Sequence, residues 1–189
     1  MIAATSTVRN VAPRAAWSSL AFAVEPFTGA LFAEMRPLLE RHWQEVAHYL
    51  DIPLEVNAGA YLAIAANGGL RVFTMRANGV PADHDPDAWR DRVLVGYAVY
   101  FVRPNPHYAS SLQAVQDVLF VAPEFRGRTG AKLIAFADRQ LAAEGVQAVY
   151  HHVKARADLN FGPLLERMGY ELVDLIYAKR LDRDDRGAA

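Results

Sequence analysis

At 189 residues the chain has room for one well-buried domain and is short for two. Apolar residues make up 52% and charged residues 22%, the balance of an ordinary globular protein, and a formal net charge of -1 argues against a chain built mainly to hold nucleic acid. There are no cysteines, which excludes disulfides, thiolate metal sites and a cysteine nucleophile together. The start MIAATSTVRN lacks a basic leader followed by an apolar run, and no stretch reaches the roughly 18 apolar residues a membrane span needs, so a cytoplasmic protein is expected.

Residues 1–16 are small, polar and aperiodic, and 182–189 are charged with nothing to bury; both are expected to be flexible around a single domain over 17–181. Leu20 to Val24 reads as a first strand. Leu31, Met35, Leu38, Leu39, His42, Val46 and Leu50 then recur at helical spacing, with Pro37 either kinking that helix or restarting it. A second helix over Ala58 to Ala66 stops at Asn67-Gly68-Gly69. Leu70 to Arg76 alternates as a strand, and Asn78 to Arg92, with Pro81 and Pro86, reads as a loop. Val93 to Val102 is almost wholly apolar, the mark of a strand covered on both faces. A long loop, Arg103 to Ser111, is expected before a strand over Ala114 to Val121. A helix over Gly130 to Glu144, a strand over Ala148 to Lys154, a short helix over Phe161 to Met168 and a last alternating strand over Glu171 to Arg180 complete the pattern. The fold class is α/β (α+β) with a mixed sheet.

The informative stretch is the strand–loop–helix from Asp117 to Leu141. Pro123 stops the strand, and Arg126-Gly127-Arg128-Thr129-Gly130-Ala131 opens directly into a helix, with Lys132 beside it. The first helical turn leaves backbone N–H groups unpaired in a positive dipole field, and glycine lets an anion come close. Such a loop can seat a diphosphate, though the same letters also fit a helix capped by Thr129 with solvated arginines.

Val121-Ala122-Pro123-Glu124-Phe125-Arg126-Gly127-Arg128 resembles motif A of the GNAT acetyltransferases, and Asn160 with Leu164-Leu165-Glu166-Arg167-Met168-Gly169-Tyr170 resembles their motif B. The resemblance covers about Val93 to Leu181. Glu40-Arg41-His42-Trp43 and His107-Tyr108 are similar to members from tailed phages and prophages. The resemblance implies a mostly antiparallel central sheet flanked by helices, acetyl-CoA as co-substrate, and transfer of an acetyl group to a primary amine. It implies a cofactor site made from the main chain of Leu119, Phe120 and Val121, from Arg126 to Lys132, and from Asn160. Two positions depart from the pattern. Thr129 stands where a glycine is usual, so either it keeps negative φ or the loop shifts to use Gly130. Leu165 stands where the family often has the tyrosine that protonates the departing thiolate.

Asp117 lies in the apolar run VQDVLFV, and strand alternation puts it on the face of Leu119 and Val121. It is a candidate general base, with a structural pairing to a buried arginine or a backbone N–H as the alternative. His107 and Tyr108, on the expected long loop, are further candidates for the acceptor side or for the missing acid, with Tyr170 and Tyr177 behind them. His42 lies on the apolar stripe and reads as a core histidine. His151 and His152 alternate along a strand and make a poor metal pair, so no metal is assigned. The acceptor region is expected between about Glu34 and Ala66, and a homodimer is left open. The competing classes are a catalytically silent acyl-CoA-binding domain and a nucleic-acid binder using the Arg126–Arg128 patch. The charge balance disfavours the second.

Overall fold

Thr28 and Asn57 start the two helices of the N-terminal half: the Thr28 hydroxyl accepts from Leu31 N at 3.1 Å and the Asn57 side chain from Ala60 N at 3.0 Å. In this computed structural model, which describes residues 19–82, 85–156, 158 and 160–182, they open α1 (Gly29–Val46) and α2 (Ala58–Ala66). Pro37 sits inside α1, which neither ends nor restarts there. The stripe Leu31, Met35 and Leu38 is buried and carries the helix past the missing N–H. α2 ends in a Schellman arrangement: Gly68, at φ 72°, donates to Ala65 O, and Gly69 donates to Ile64 O. The Asn-Gly-Gly stop is thus a main-chain device.

The chain divides into two compact units, Met1–His152 and Val153–Ala189. The first holds a five-stranded sheet in the order β1-β2-β5-β6-β7, from β1 (Ser19–Glu25), β2 (Leu70–Asn78), β5 (Val93–Asn105), β6 (Tyr108–Val121) and β7 (Val146–Tyr150). All neighbours are antiparallel except β6 and β7, which run parallel and are joined through α3 (Thr129–Ala143). Directly opposed residues share a face. Phe73 and Ala98 lie under α3, where Phe73 packs against Phe136 at 6.1 Å between centroids. Thr74, Tyr97 and Phe120 lie on the other face, where Tyr97 and Phe120 meet His42 of α1.

The stretch 78–92 is not a plain loop. It holds a two-stranded hairpin, β3 (Val80–Ala82) with β4 (Asp85–Arg90), pinned at its base where Gly79 N donates to Asp91 Oδ1 and Arg92 N to Asn78 Oδ1, both at 2.8 Å. The expected long loop at 103–111 is also absent. β5 runs on to Asn105 and β6 restarts at Tyr108, with Pro106 and His107 as the turn. Asn105 explains the tight reversal: its side-chain oxygen accepts from His107 N at 2.8 Å and its amide donates to Gln113 at 2.9 Å. The two prolines fall on a strand end and a turn rather than in a loop.

A charged cluster ties β1, β2 and α1. Arg76, 11% exposed, donates to Glu25 Oε1 at 2.7 Å and Oε2 at 3.0 Å, to Glu34 Oε2 at 2.7 Å and to Arg92 O at 2.9 Å. The Arg76 hydrogen bond holds the Glu25 carboxyl below its ordinary value against the opposing effect of burial. A depressed carboxylate stabilises the fold above its unfolded value and loses that contribution as the pH falls. Replacing Arg76 by leucine is expected to cost about 3 kcal/mol at neutral pH, because Glu25 is left without its cation. The gap between wild type and variant should narrow below pH 4.5, the ordinary Glu25 value. Thermal melts across pH 3 to 8 check both statements.

The second unit contains α4 (Gly162–Arg167), whose N-cap Phe161 makes no side-chain bond; the side chain of Asn160, one residue earlier, accepts from Gly162 N at 2.8 Å. Its end is a second Schellman arrangement through Gly169 at φ 93°. The last strand expected over Glu171 to Arg180 does not form. The alternation is there, but a strand needs a backbone partner, and α4 is the one regular element among the described residues of this unit. Leu172, Leu175, Ile176 and Tyr177 are accordingly exposed. The expected flexible segment 1–16 and nearly all of the tail lie outside the described residues.

Candidate active site

The β6–β7 ladder is short. It pairs Leu112 with Val146, Gln113 with Ala148, Ala114 with Val149 and Val115 with Tyr150, and ends there. β6 continues through Gln116 to Val121 while paired, among the described residues, with β5 alone. Its backbone from Gln116 onward therefore presents an open edge, adjacent in sequence to the glycine loop and the start of α3. The parting is marked by a side-chain contact, Gln116 Oε1 to His151 Nδ1 at 2.6 Å. Burial, with a smaller effect from His152, pulls His151 down to about 4, so its ring is neutral at physiological pH and Nδ1 carries the hydrogen toward Gln116.

The loop resolves the question raised by Thr129. Gly127 takes the left-handed conformation at φ 110°, while Thr129 and Gly130 keep negative φ. The Thr129 side chain turns inward and donates to the Phe125 carbonyl, which buries it. It neither caps α3 nor points to a ligand. No side chain caps the N-terminus of α3, and a Cβ placed on Gly130 would meet no atom within 4 Å. The first-turn amides are thus uncovered beside open space.

Arg126 differs from its expected role. Its Nε donates to Val121 O at 2.9 Å and its Nη2 to both Glu45 oxygens at 2.9 and 2.6 Å. Arg41 of α1 mirrors this, bonding Glu124 at 2.8 and 3.0 Å. The two pairs clamp the 121–126 segment to α1. Each is 30% or more exposed and contributes modestly, so their effect is positional. Arg128 and Lys132 are exposed and have no carboxylate partner among the described residues, and they remain the cations beside the helix start.

Asp117 lies on this same stretch of β6. The β5–β6 register passes from Val99↔Val118 to Tyr100↔Gln116, so Asp117 is the extra residue of a β-bulge. The bulge breaks the alternation and overturns the assignment of Asp117 to the face of Leu119 and Val121. Its carboxylate instead accepts from the Tyr61 hydroxyl of α2 at 2.5 Å, on the side of α1 and α2. Burial, then the Asp117 hydrogen bond and charge, push the Tyr61 phenol well above its ordinary value, so it stays a donor. Tyr97 lies close by and is raised mainly by burial, with contributions from Tyr61 and Asp117. Its hydroxyl is 3.4 Å from His42 Nδ1, and the His42 ring stacks on Phe120 at 5.0 Å.

The site thus gathers Asp117, Tyr61, Tyr97, His42 and Phe120. It does not gather His107 or Tyr108: these occupy the hairpin tip, separated from the bulge by the β5 stretch Tyr100 to Asn105, roughly 17 Å of strand. Tyr108 is 68% exposed. Asn160 lies just before α4 in the second unit, its side chain accepting from Gly162 N. A groove of about 520 Å³ along α1, lined by Phe32, Arg36, Leu39, Trp43 and Leu54 among others, contains none of the five. No cluster of three or more metal-ligating side chains occurs among the described residues.

No family model matches the sequence, and no curated relative matches it. Solved structures do. A ribosomal-protein-alanine N-acetyltransferase from Brucella melitensis biovar Abortus 2308 is 16% identical, covers 86% of this chain and 99% of its own, and superposes with a TM-score of 0.58. The fold is the GNAT acetyltransferase fold. AAC(6')-Iy, in complex with the bisubstrate analogue CoA-S-monomethyl-acetylneamine, is 22% identical over 86% of this chain and 99% of its own, with a TM-score of 0.55. Glucosamine-6-phosphate N-acetyltransferase from Arabidopsis thaliana is 11% identical over 87% and 100%, with a TM-score of 0.58. These similarities establish the architecture, including a helix-flanked mixed sheet. No helix among the described residues is long and apolar enough to cross a membrane.

Proposed function

We propose that the chain is an acetyl-CoA-dependent N-acetyltransferase that moves an acetyl group to a primary amine by direct attack in a ternary complex. The carrying observation is the β6 edge, open from Gln116 onward and leading into an uncapped helix start flanked by Arg128 and Lys132. Free main-chain groups along a strand suit the amides of a pantetheine arm, and uncovered first-turn amides in a positive dipole suit a pyrophosphate. Acetyl-CoA supplies the thioester. Asp117, set forward by the bulge and held by Tyr61, takes a proton from the acceptor ammonium. The freed lone pair of the amine attacks the carbonyl carbon, a C–N bond forms, the C–S bond breaks, and the second N–H proton of the adduct passes to the departing sulfur, which leaves as the free thiol of CoA. The structural neighbours named above act on, or are bound to, different amines, so the fold leaves the acceptor to local residues.

A second reading, an acyl-CoA-binding domain without turnover, draws on Leu165, a buried apolar residue at the position where a thiolate-protonating tyrosine is common. Incubation with acetyl-CoA and a panel of primary amines, followed by free thiol, separates the two. Amine-dependent thiol release is expected. Tight acetyl-CoA binding with no release by any amine would favour the second reading.

A further inference from the structure

Resting on the acetyl-transfer reading, we infer that Gln116 and His151 select the acyl group: together they stop the far end of the open β6 edge and restrict the thioester to short acyl chains. The open edge has two ends. One leads past Val121 to the glycine loop and the start of α3, the place proposed for the pyrophosphate. The other is the point where β6 and β7 come together, at the pair Val115↔Tyr150. Gln116 and His151 are the next residue on each strand, so a continued ladder would join them through the main chain. Their side chains meet instead, Gln116 Oε1 to His151 Nδ1 at 2.6 Å.

That contact is held from a third side. Gln116 is 5% exposed and stands opposite Tyr100 of β5, which is fully buried, so the two share a face. The Tyr100 ring meets the His151 ring edge-on, with centroids 5.7 Å apart and 88° between planes. Displacing either His151 or Gln116 breaks their hydrogen bond and opens space in a packed group, so the stop is stiff.

Lengths decide what fits. From Val121 back to Gln116 the edge spans roughly 17 Å of strand. A pantetheine arm has about the main-chain length of four residues, roughly 14 Å when extended. An arm entering from the α3 end therefore brings its sulfur level with Asp117. A separate observation puts the thioester at the same place: the Asp117 carboxylate, fixed by Tyr61, must lie beside the amine that attacks it. The acceptor comes from that side, the side of α1 and α2, which leaves the acyl tail the direction of the stop. Beyond the carbonyl only Gln116 remains before the ladder closes, about 3.4 Å of edge. That is room for a methyl or an ethyl group and too little for a propyl chain.

The test is calorimetric binding of acetyl-, propionyl-, butyryl- and hexanoyl-CoA, each relative to free CoA, to wild type, Gln116→Ala and His151→Ala. Thiol release from the same thioesters with the panel of primary amines is followed beside it. Wild type is expected to bind butyryl- and hexanoyl-CoA at least about tenfold more weakly than acetyl-CoA, the cost of forcing extra methylenes into a packed stop. Either alanine variant should bring butyryl-CoA to within about threefold of acetyl-CoA. Gln116→Asn, which withdraws the amide by one methylene and keeps its polarity, should give an intermediate ratio and serves where alanine disturbs folding. Butyryl-CoA bound by wild type as tightly as acetyl-CoA, or the wild-type ratio retained in every folded variant, would overturn the inference. The expected ratios with no thiol released by any amine would support the stop and sink the acetyl-transfer reading. Amine-dependent release that is equal from acetyl- and butyryl-CoA would do the reverse, and failure to bind any thioester would sink both.

Discussion

Replacing Asp117 by asparagine is expected to lower turnover by about 10²- to 10³-fold while acetyl-CoA binds as it does to wild type, the range set by losing a positioned general base. The size of the effect follows from geometry. The bulge brings the Asp117 carboxylate out of the strand's alternation and onto the side of α1 and α2, where Tyr61 fixes one of its oxygens. Asparagine keeps the shape and can still accept from Tyr61, so the fold and the open β6 edge persist. Only the capacity to take a proton is lost. Tyr61→Phe is the companion variant. It removes one hydrogen bond to a charged group, a difference of about 2 kcal/mol, and should cost turnover roughly tenfold to thirtyfold with the fold intact. Steady-state kinetics beside acetyl-CoA titrations check the pair. Unchanged turnover in Asp117→Asn would make the residue structural and leave the base elsewhere.

The second large effect is expected at Gly130. Glutamate there places a carboxylate in the first turn of α3, on a site where a Cβ meets nothing within 4 Å. An acid in that position interacts favourably with the helix dipole, so stability should hold or rise by about 0.5 kcal/mol. Acetyl-CoA affinity should nevertheless fall by about 100-fold or more, because the new charge occupies and repels the place of a pyrophosphate. The opposite signs make the variant informative: a stability gain together with unchanged affinity would show that the helix start is not the anion site. Arg126→Gln, by contrast, should act mainly by loosening the tie to Glu45.

Local signals in the sequence located most elements. Thr28, Asn57, the Asn67-Gly68-Gly69 stop and Gly169 act within a few residues of themselves, and the helices they bound are the ones expected. The strand–loop–helix around Gly127 was legible for the same reason. What escaped depends on partners far along the chain. Asp117 changes face because its strand is bulged against β5, and a register cannot be read from one strand alone. Tyr61 lies 56 residues from Asp117, and Glu45 lies 81 residues from Arg126, so neither contact has a sequence mark. Tyr61 carried one weak signal, a large polar aromatic in the otherwise small and apolar run AGAYLAIAA. His107 and Tyr108 were drawn into the site by prolines that spoke for a loop, and the Asn105 side chain makes a tight turn there instead. Glu171 to Arg180 shows the converse: a strand-like pattern without a partner remains irregular.

Amide hydrogen exchange with and without saturating acetyl-CoA tests the central claim most directly, since it reads the β6 edge and the α3 start residue by residue. The expected result is new protection at amides within Gln116–Phe120 and at Gly130 and Ala131, with little change at the His107–Tyr108 hairpin tip. Saturation by acetyl-CoA that leaves both stretches unprotected would contradict it.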